Sequence, residues 1–422
     1  MMNKISLFQL VFLTVGAMIG SAIFSLSGVT IASVDGSAVL SWALAGLVLF
    51  GFGLVTTNLT SVPDFEGSSV KLYDFPARAF KSNFLSYLTS WIYLFGCIAG
   101  VSFSATYFAH YLVAVLPVLL PVVHILPPVS VLLAFIVNCL KIKQFSAFNM
   151  ILTILLIAIL LVFAVVLYFH NGGSSRSVNV FPTSSANLVE MLSEVPVAML
   201  AYGAIVVPAF MVPNVKNCKR NVRLGMLIAM ILTTTIYCLV IFGTLRFVNA
   251  QYLIQHHEAV FAPLTAAIKI AKLPATFALA TNIAAVLALF TTMLVVGRLG
   301  VSSVDNIVQA QNVRAQNSTE KCGRILFFAV VLITTLFYAK VQLIIDSGAL
   351  FNALFTLIIC ASGFQLAKMW WHKILALLTA VVVFITYIPT LQNSSVALWI
   401  TTVLYIALGC AVYKILKFLR PH

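Results

Sequence analysis

The 422-residue chain has few charged residues: they make up 8% of it, while hydrophobic residues make up 62%. A soluble domain of this size cannot bury so much apolar surface, so the composition indicates an integral membrane protein. Acidic residues are scarcest, with 10 Asp and Glu against 24 Lys and Arg. None of these acids falls near the middle of an apolar segment, where a charge costs roughly 2.5–3.5 kcal/mol and marks function.

The sequence also lacks the patterns of a metal site, an enzyme or a channel. Its 7 cysteines have no CxxC spacing and lie mostly in apolar segments, so we expect no disulfide framework and no metal site. His110, near the end of the third span, has no nucleophile or metal ligands beside it. No repeated filter loop or pore-lining ring is present. We therefore predict no catalytic residues and no cofactor.

Long apolar segments are what the chain does contain. Runs of about 20 apolar residues are typical of transmembrane helices, and they predict an all-α polytopic membrane protein with twelve spans. The predicted spans are 8–34, 37–61, 84–115, 118–140, 145–169, 189–213, 222–247, 274–304, 324–342, 346–368, 373–390 and 395–417. The polar stretch 305–323 is predicted to be a surface linker, and 1–422 a single transporter domain.

The positive charges alternate along these spans. With the N-terminus inside, nineteen of the 24 Lys and Arg residues fall in inside segments and five fall in outside segments. This bias follows the positive-inside rule, so it predicts a multi-pass protein of the cell membrane with cytoplasmic N- and C-termini. Because membrane topology accounts for the net charge of +14, nucleic-acid binding is not indicated. The expected partners are the lipid bilayer and a small solute.

Two spans carry residues that can interrupt a helix. Gly16 and Gly20 lie in the first span, where a glycine pair permits unwinding but also permits close helix packing. Gly203 and Pro208 lie in the sixth span, and a proline inside a helix removes a hydrogen bond and frees a carbonyl group. Broken helices in membrane transporters direct their backbone groups into a binding cavity.

Three motifs resemble those of the amino acid–polyamine–organocation superfamily of permeases. Residues 16–24 read GAMIGSAIF, which is similar to that family's G-x-x-x-G-S-G-I-F in helix 1. Residues 201–204 read AYGA and residues 215–221 read VKNCKRN, similar to the break and V-K-N-P-K-R-N exit of helix 6. A third motif runs from Pro63 through Gly67, Ser68 and Ser69 to Tyr73, followed by Ala79 and Phe80, and resembles the first cytoplasmic loop. In motif the chain is closest to the basic amino acid/polyamine antiporter branch.

The resemblance implies a LeuT-type fold with discontinuous helices 1 and 6. Its five-plus-five inverted repeat would comprise helices 1–5 over 8–169 and helices 6–10 over 189–369, with helices 11 and 12 peripheral over 373–417. The implied function is a secondary active transporter that moves amino acids or related amines by alternating access. The sequence leaves the oligomeric state open between a monomer and a homodimer.

The resemblance also implies a substrate site between helices 1 and 6. The family's carboxylate-binding amides match Ser21, Ala22 and Ile23. Its amine-binding carbonyls and the surrounding break match Ala17, Met18, Gly20, Ala201, Gly203 and Ala204, with Tyr202 as the aromatic gate. Further candidates for the gate or cavity lining are Trp91, Tyr93, Phe95 and Phe290, although aromatic residues at such spacing commonly serve packing.

Departures from the family pattern bear on energy coupling. Leu156 replaces the lysine of proton-coupled members, and Val206 and Asn58 replace glutamates that many members keep. These replacements favour exchange or facilitated transport, with a proton- or sodium-coupled symporter as the alternative. A candidate sodium site would use Thr291 and Thr292 with carbonyl groups of helix 1, although such threonines commonly bond to their own helix.

Overall fold

The computed structural model describes residues 4–60, 72–139, 142–172, 175–212, 215–309, 318–336, 341–392 and 394–418. Helices in these ranges are α1 (Leu7–Val34), α2 (Ala38–Thr60), α3 (Asp74–Phe80), α4 (Asn83–Val115), α5 (Leu126–Asn138), α6 (Ile142–Phe169), α7 (Ser185–Ser193), α8 (Val195–Ala201), α9 (Val207–Phe210), α10 (Cys218–Leu245), α11 (Ala250–Gln255), α12 (His257–Phe261), α13 (Pro263–Ile270), α14 (Ala275–Gln309), α15 (Ser318–Thr335), α16 (Val341–Leu366), α17 (Trp370–Gln392) and α18 (Val396–Phe418). Short 3-10 turns occupy Asp35–Ser37, Pro117–Val122 and Gly203–Val206.

The chain is an all-α polytopic membrane protein. A helix or helix group coincides with each of the twelve predicted apolar segments. Among the described residues, eight helical stretches are long and apolar enough to cross a membrane, or nine if one bent pair forms a single span. That pair, Ser185–Ala201 and Gly203–Phe210, is the predicted sixth helix, and we call α7, α8 and α9 together helix 6. The count of twelve spans and the inverted repeat stay predictions.

The predicted fourth span, 118–140, is wrong in its first third. Residues Pro117–Val122 form a 3-10 turn, and the α-helix begins only at Leu126. Pro117 and Pro121 lack the backbone N–H that an α-helix requires, whereas the prolines of α5 lie in its first turn. Proline is tolerated there because the first N–H groups of a helix have no intrahelical acceptor.

The predicted linker 305–323 is helical at both ends. Helix α14 continues to Gln309, and α15 begins at Ser318 instead of 324. Residues 310–317, in the middle of the linker, lie outside the described residues. Helix α15 also ends at Thr335, before the predicted end at 342, and residues 337–340 are again outside the described ranges.

Helix α1 lies at the centre of the bundle and packs against α6, α8, α10 and α14. Helix α4 packs extensively along α14 and α16. The two C-terminal helices lie at the edge: only 17% of the most apolar window of Val396–Phe418 is buried, against 67% for Asn83–Val115. A lipid-facing helix needs no protein cover for its apolar residues, so α17 and α18 can remain peripheral.

The motif of the first cytoplasmic loop is only partly described, because Pro63, Gly67, Ser68 and Ser69 lie outside the described residues. Its last residue, Tyr73, is fully buried, and its hydroxyl group lies 2.6 Å from Ser303 Oγ on α14. On the same side of the bundle, Ile5 and Val215 form a β-bridge, and Lys216 N–H donates to Ile5 O at 3.0 Å. This bridge ties the start of α1 to the end of helix 6.

Candidate functional site

A cavity with a volume of about 50 Å³ lies where α1, α4, α14 and α16 meet the break in helix 6. One water needs roughly 10–15 Å³ of such space, so the cavity admits a few polar atoms. Its lining consists of small, aliphatic, aromatic and uncharged polar residues. They are Ala17, Met18, Ala22, Tyr93, Gly96, Cys97, Gly100, Phe103, Leu200, Ala201, Gly203, Ala204, Thr292, Val296, Leu299 and Asn352.

Helix 6 is broken beside this cavity. Helix α8 ends at Ala201, residues Gly203–Val206 form a 3-10 turn, and the two halves are bent by 45°. Tyr202 N–H donates to Met199 O at 3.1 Å and Ile205 N–H donates to Tyr202 O at 2.9 Å. These bonds join residues three apart instead of four, as at a helix terminus, where carbonyl groups lose their α-helical donors. The predicted discontinuity of helix 6 is confirmed.

The predicted discontinuity of helix 1 is wrong. Residues Leu7–Val34 form one continuous α-helix that passes through Gly16 and Gly20 without a turn or 3-10 segment. In a continuous helix, the N–H of each interior residue donates to the carbonyl four residues earlier. The amides of Ser21, Ala22 and Ile23 are therefore part of the helix in this conformation and are not free to bind a carboxylate.

Close packing explains why the glycines of α1 do not unwind it. A Cβ atom at Gly16 would clash with Thr153 Oγ1 on α6, and one at Gly20 would clash with Thr292 Oγ1 and lie 2.7 Å from Ala288 O on α14. Small residues at this spacing allow helix backbones to approach closely in a membrane. Gly16 and Gly20 thus act as contact points for two neighbouring helices.

The carbonyl of Met18, a predicted ligand of an amine, already accepts a hydrogen bond. Tyr237 on α10 donates its hydroxyl to Met18 O at 2.5 Å. The Tyr237 ring packs edge-on against Trp42, at 4.8 Å between centroids, and against Tyr202, at 5.2 Å. Tyr202 in turn donates its hydroxyl to Trp42 O at 3.1 Å. This aromatic cluster braces α1 opposite the break in helix 6.

The cavity brings together six of the ten predicted substrate-binding residues, which are Ala17, Met18, Ala22, Ala201, Gly203 and Ala204. Three others lie behind this wall. Gly20 contacts Thr292, Ile23 is fully buried and its carbonyl accepts from Ser27 at 2.5 Å, and Tyr202 belongs to the aromatic cluster. Ser21 lies in α1 by its backbone, and its side chain lies outside the described side chains.

Of the four aromatic candidates for the gate, Tyr93 lines the cavity. Trp91 packs against α18, where its Nε1 donates to Tyr405 O at 3.0 Å. Phe95 pairs with Phe351 at 4.4 Å between ring centroids, and Phe290 with Phe108 at 6.3 Å. Trp91, Phe95 and Phe290 therefore pack between helices, as is common for aromatic residues at such spacing.

The two threonines of the candidate sodium site differ. Thr291 donates to Ala288 O at 2.9 Å within its own helix, the common arrangement for threonine in a membrane helix. Thr292 lines the cavity, and its buried Oγ1 has no hydrogen-bond partner in the described part of the chain. Across the described residues, no group of three His, Cys, Asp or Glu side chains is placed to hold a metal ion.

Sequence reasoning missed Asn352, which lines the cavity from α16. A Cβ atom built at Gly203 would lie 3.6 Å from Asn352 Nδ2, so this amide group faces the break in helix 6. The available signal was an asparagine in a long apolar span, because polar residues inside membrane helices commonly serve function. Cys97 and Phe103 also line the cavity, but nothing in their local sequence distinguishes them from packing residues.

The description "Amino acid permease" belongs to the family model that matches this chain, and the match covers residues 5–304. The chain belongs to the amino acid permease family. The matched region includes α1, helix 6 and most of α14, which supply three walls of the cavity. Family membership identifies a permease of the superfamily that the motifs resemble, and a transporter rather than an enzyme.

One curated relative of this permease is the aspartate-proton symporter of Bacillus subtilis (strain 168). It is 25% identical over 244 residues, which cover 56% of this chain and 46% of the relative. The chain thus matches about half the length of that symporter.

At the position where proton-coupled members carry a lysine, this permease has Leu156. This residue lies on α6 and is buried in the apolar core. One turn earlier, Thr153 donates to Asn149 O at 2.7 Å and contacts Gly16 of α1. The Oδ1 atom of Asn149 is buried and has no hydrogen-bond partner within the described residues. Where α6 contacts Gly16 of α1, its side chains are therefore polar and uncharged.

Proposed function

We propose that this permease moves an amino acid or a related amine across the cell membrane by alternating access, through exchange or facilitated transport. This proposal rests on the cavity at the break in helix 6, which faces α1 and has Asn352 and Thr292 in its wall. Backbone carbonyl groups at a broken helix suit an ammonium group, and amide and hydroxyl donors suit a carboxylate.

The lining favours a small substrate with an uncharged side chain. Its polar side-chain groups come from Tyr93, Cys97, Thr292 and Asn352, and none of its described members is Lys, Arg, Asp or Glu. An aspartate side chain would bring a second carboxylate into a cavity without a cation, which is unfavourable in an apolar surrounding. We therefore expect this permease to prefer small neutral amino acids, unlike the relative named as an aspartate symporter.

Exchange or facilitated transport is the favoured mode because Leu156 is apolar and no acid lines the cavity within the described residues. Proton symport is the main alternative, supported by the name of the relative. Sodium symport is the second alternative, supported by the unpartnered Thr292 Oγ1. A channel or an intramembrane enzyme has no comparable support.

Counterflow in liposomes tests this function. The purified permease should take up labelled small neutral amino acids, saturably, and faster when unlabelled substrate is present inside. Asn352→Ala should raise the KM about tenfold, which corresponds to ~1.4 kcal/mol of lost hydrogen bonding. The matched control is Asn306→Ala. Asn306 Nδ2 donates to Ser90 Oγ at 2.6 Å away from the cavity, so this change should lower stability and leave the KM unchanged.

Two results would contradict the proposal. Concentrative uptake driven by a proton gradient without counter-substrate would reject the exchange mode and favour symport. Thermal stabilisation by molecules that lack an α-ammonium group, and by no amino acid or amine, would reject the substrate class.

The proposed topology places both termini in the cytoplasm. Cysteine substitutions near the N-terminus and after α18, labelled with a membrane-impermeant maleimide in intact cells, should react only after the membrane is opened. Size-exclusion chromatography with light scattering would decide between a monomer and a homodimer.

A further inference from the structure

A second cavity, with a volume of about 110 Å³, lies between α5, α14 and α15, apart from the substrate cavity. Its lining is polar and charged, and comprises Asn138, Arg298, Val301, Ser302, Asp305 and Arg324. Adjacent residues of α14 face the two cavities, because Leu299 lines the first and Arg298 the second. The proposed transport of amino acids leaves this second cavity without a role.

Within the described residues, the lining carries an excess of positive charge. Two guanidinium groups, Arg298 and Arg324, accompany one carboxylate, Asp305. Arg298, Ser302 and Asp305 are spaced by four and three residues along α14, so they share one face of that helix. A guanidinium group offers a planar fork of donors that matches the oxygen atoms of a phosphate, and the Ser302 hydroxyl adds another donor.

Neighbouring helices hold this cavity in place. Asn138 Nδ2 donates to Leu294 O at 3.2 Å and to Ala134 O at 3.0 Å, which joins the end of α5 to α14. A Cβ atom at Gly297 would lie 3.0 Å from the Phe328 ring, so α14 and α15 also pack closely. The arginines therefore project from packed helices, not from a loop, and a rigid site loses little conformational entropy on binding.

In the proposed topology, the end of α14 that carries Arg298 and Asp305 faces the cytoplasm. Basic pockets between transmembrane helices on the cytoplasmic side are a known way to bind anionic headgroups. The cavity volume is several times what one water needs, so a phosphate group fits it better than a single ordered water.

We propose that this cavity binds one phosphate group, either as inorganic phosphate or as the phosphodiester of an anionic lipid headgroup. Arg298 and Arg324 are its main ligands, Ser302 adds a hydrogen bond, and Asp305 is the one acid in the described part of the lining. Binding here would link α5, α14 and α15 on the side of α14 opposite the substrate cavity.

Thermal unfolding of the purified permease tests this proposal. One arm adds inorganic phosphate to protein in detergent, with sodium chloride of equal ionic strength as the reference. The other arm compares nanodiscs of phosphatidylcholine with nanodiscs that contain phosphatidylglycerol. We expect a saturable rise in the unfolding temperature in at least one arm, with the apparent affinity lowered at least tenfold by Arg324→Gln.

Two further variants keep the outcome clear. Arg324→Lys keeps the charge without the planar fork, so it should retain part of the affinity for the phosphate group. Arg220→Gln is the matched control, since Arg220 is an exposed arginine of α10 away from the cavity, and it should bind as the wild type does. Stabilisation by phosphate in detergent identifies free phosphate, and stabilisation only in phosphatidylglycerol identifies a lipid. The absence of both, or an equal loss in Arg220→Gln, would overturn the proposal.

Discussion

The sequence predicts a break in both helix α1 and helix 6, but only helix 6 is broken. Both contain a glycine in a small-residue stretch beside the cavity, yet α1 is continuous from Leu7 to Val34 whereas helix 6 is bent by 45° after Ala201. The difference lies in Pro208, which lies in the first turn of α9 and cannot donate a backbone hydrogen bond. Glycine permits a break, whereas proline removes a hydrogen bond that an uninterrupted helix would need.

The two helices also differ in how closely their neighbours pack against them. Gly16 and Gly20 are both in close contact with neighbouring helices, so the missing side chains of α1 serve helix approach. At Gly203 the nearest group is the Asn352 amide, at an ordinary contact distance of 3.6 Å from a Cβ built there. Helix 6 therefore retains room around its break, and α1 has none.

The largest effect is expected from Gly16→Ala. The added methyl group would clash with Thr153 Oγ1, and overpacking of this kind costs about 1–3 kcal/mol. The unfolding temperature in detergent should fall, and the second change Thr153→Ala should restore part of it. Gly96→Ala is the matched control, because a Cβ there meets nothing within 4 Å. A Gly16→Ala variant as stable as wild type would show that α1 is not held by this contact.

Pro208→Ala should make helix 6 more like α1. The new backbone N–H could donate to Ala204 O and extend the α-helix through the break. We expect unchanged or higher thermal stability and transport slowed about fivefold, the factor that ~1 kcal/mol brings. Pro196→Ala changes a proline in the first turn of α8, outside the cavity lining, and should leave the transport rate unchanged. If both variants transport at the same rate, the break in helix 6 is not required for transport.

Tyr237→Phe tests the brace on α1. It removes the hydrogen bond to Met18 O, which should cost about 1 kcal/mol of stability and leave that carbonyl with only its helical donor, so that it can also accept from the substrate amine. The KM should therefore fall, together with the stability. Tyr111→Phe removes a similar bond, 2.9 Å long, to Phe24 O, which is not part of the cavity lining, so it should lower stability alone. If both variants shift the KM equally, the Met18 carbonyl has no special role.

The smallest effect concerns the end of α1. Asp35, in the turn between α1 and α2, accepts hydrogen bonds from Arg176 Nη1 at 2.9 Å, Arg176 Nη2 at 2.7 Å and Ala250 N–H at 3.0 Å. Burial raises the pKa of Asp35, but the hydrogen bonds from Arg176 and Ala250 outweigh it and lower the pKa below its ordinary value of 3.8. Since both side chains are partly exposed, the ion pair is worth roughly 1 kcal/mol or less.

The sign of the pH effect follows from this lowered pKa. The contribution of Asp35 to stability is complete above pH 3.8 and is lost as the pH falls through the lower, folded-state pKa. Thermal unfolding should therefore show no effect of this pair between pH 5 and pH 8 and a loss only in stronger acid. Asp35→Asn should lack that acid-induced step, and a step between pH 5 and pH 8 that vanishes in Asp35→Asn would contradict the assignment.

Much of the helical layout could be predicted because it depends on local chemistry. The length of an apolar run predicts where a helix lies. A proline predicts where an α-helix is interrupted, as helix 6 is before Pro208. The same proline chemistry, applied to Pro117 and Pro121, would have predicted the late start of α5 at Leu126. In this segment, the missing N–H groups of the two prolines outweigh its apolar character.

The sequence by itself determined the membrane class, the family motifs and the break in helix 6, since each depends on composition or on residues close in the chain. Only the tertiary structure decided that α1 stays continuous, that Asn352 faces Gly203 and that Tyr202 turns to Trp42 instead of the cavity. Each of these depends on a partner that is distant in sequence, such as Thr153 for Gly16 and Tyr237 for Met18. A glycine is compatible with unwinding and with close packing, and the helix that lies against it decides between the two.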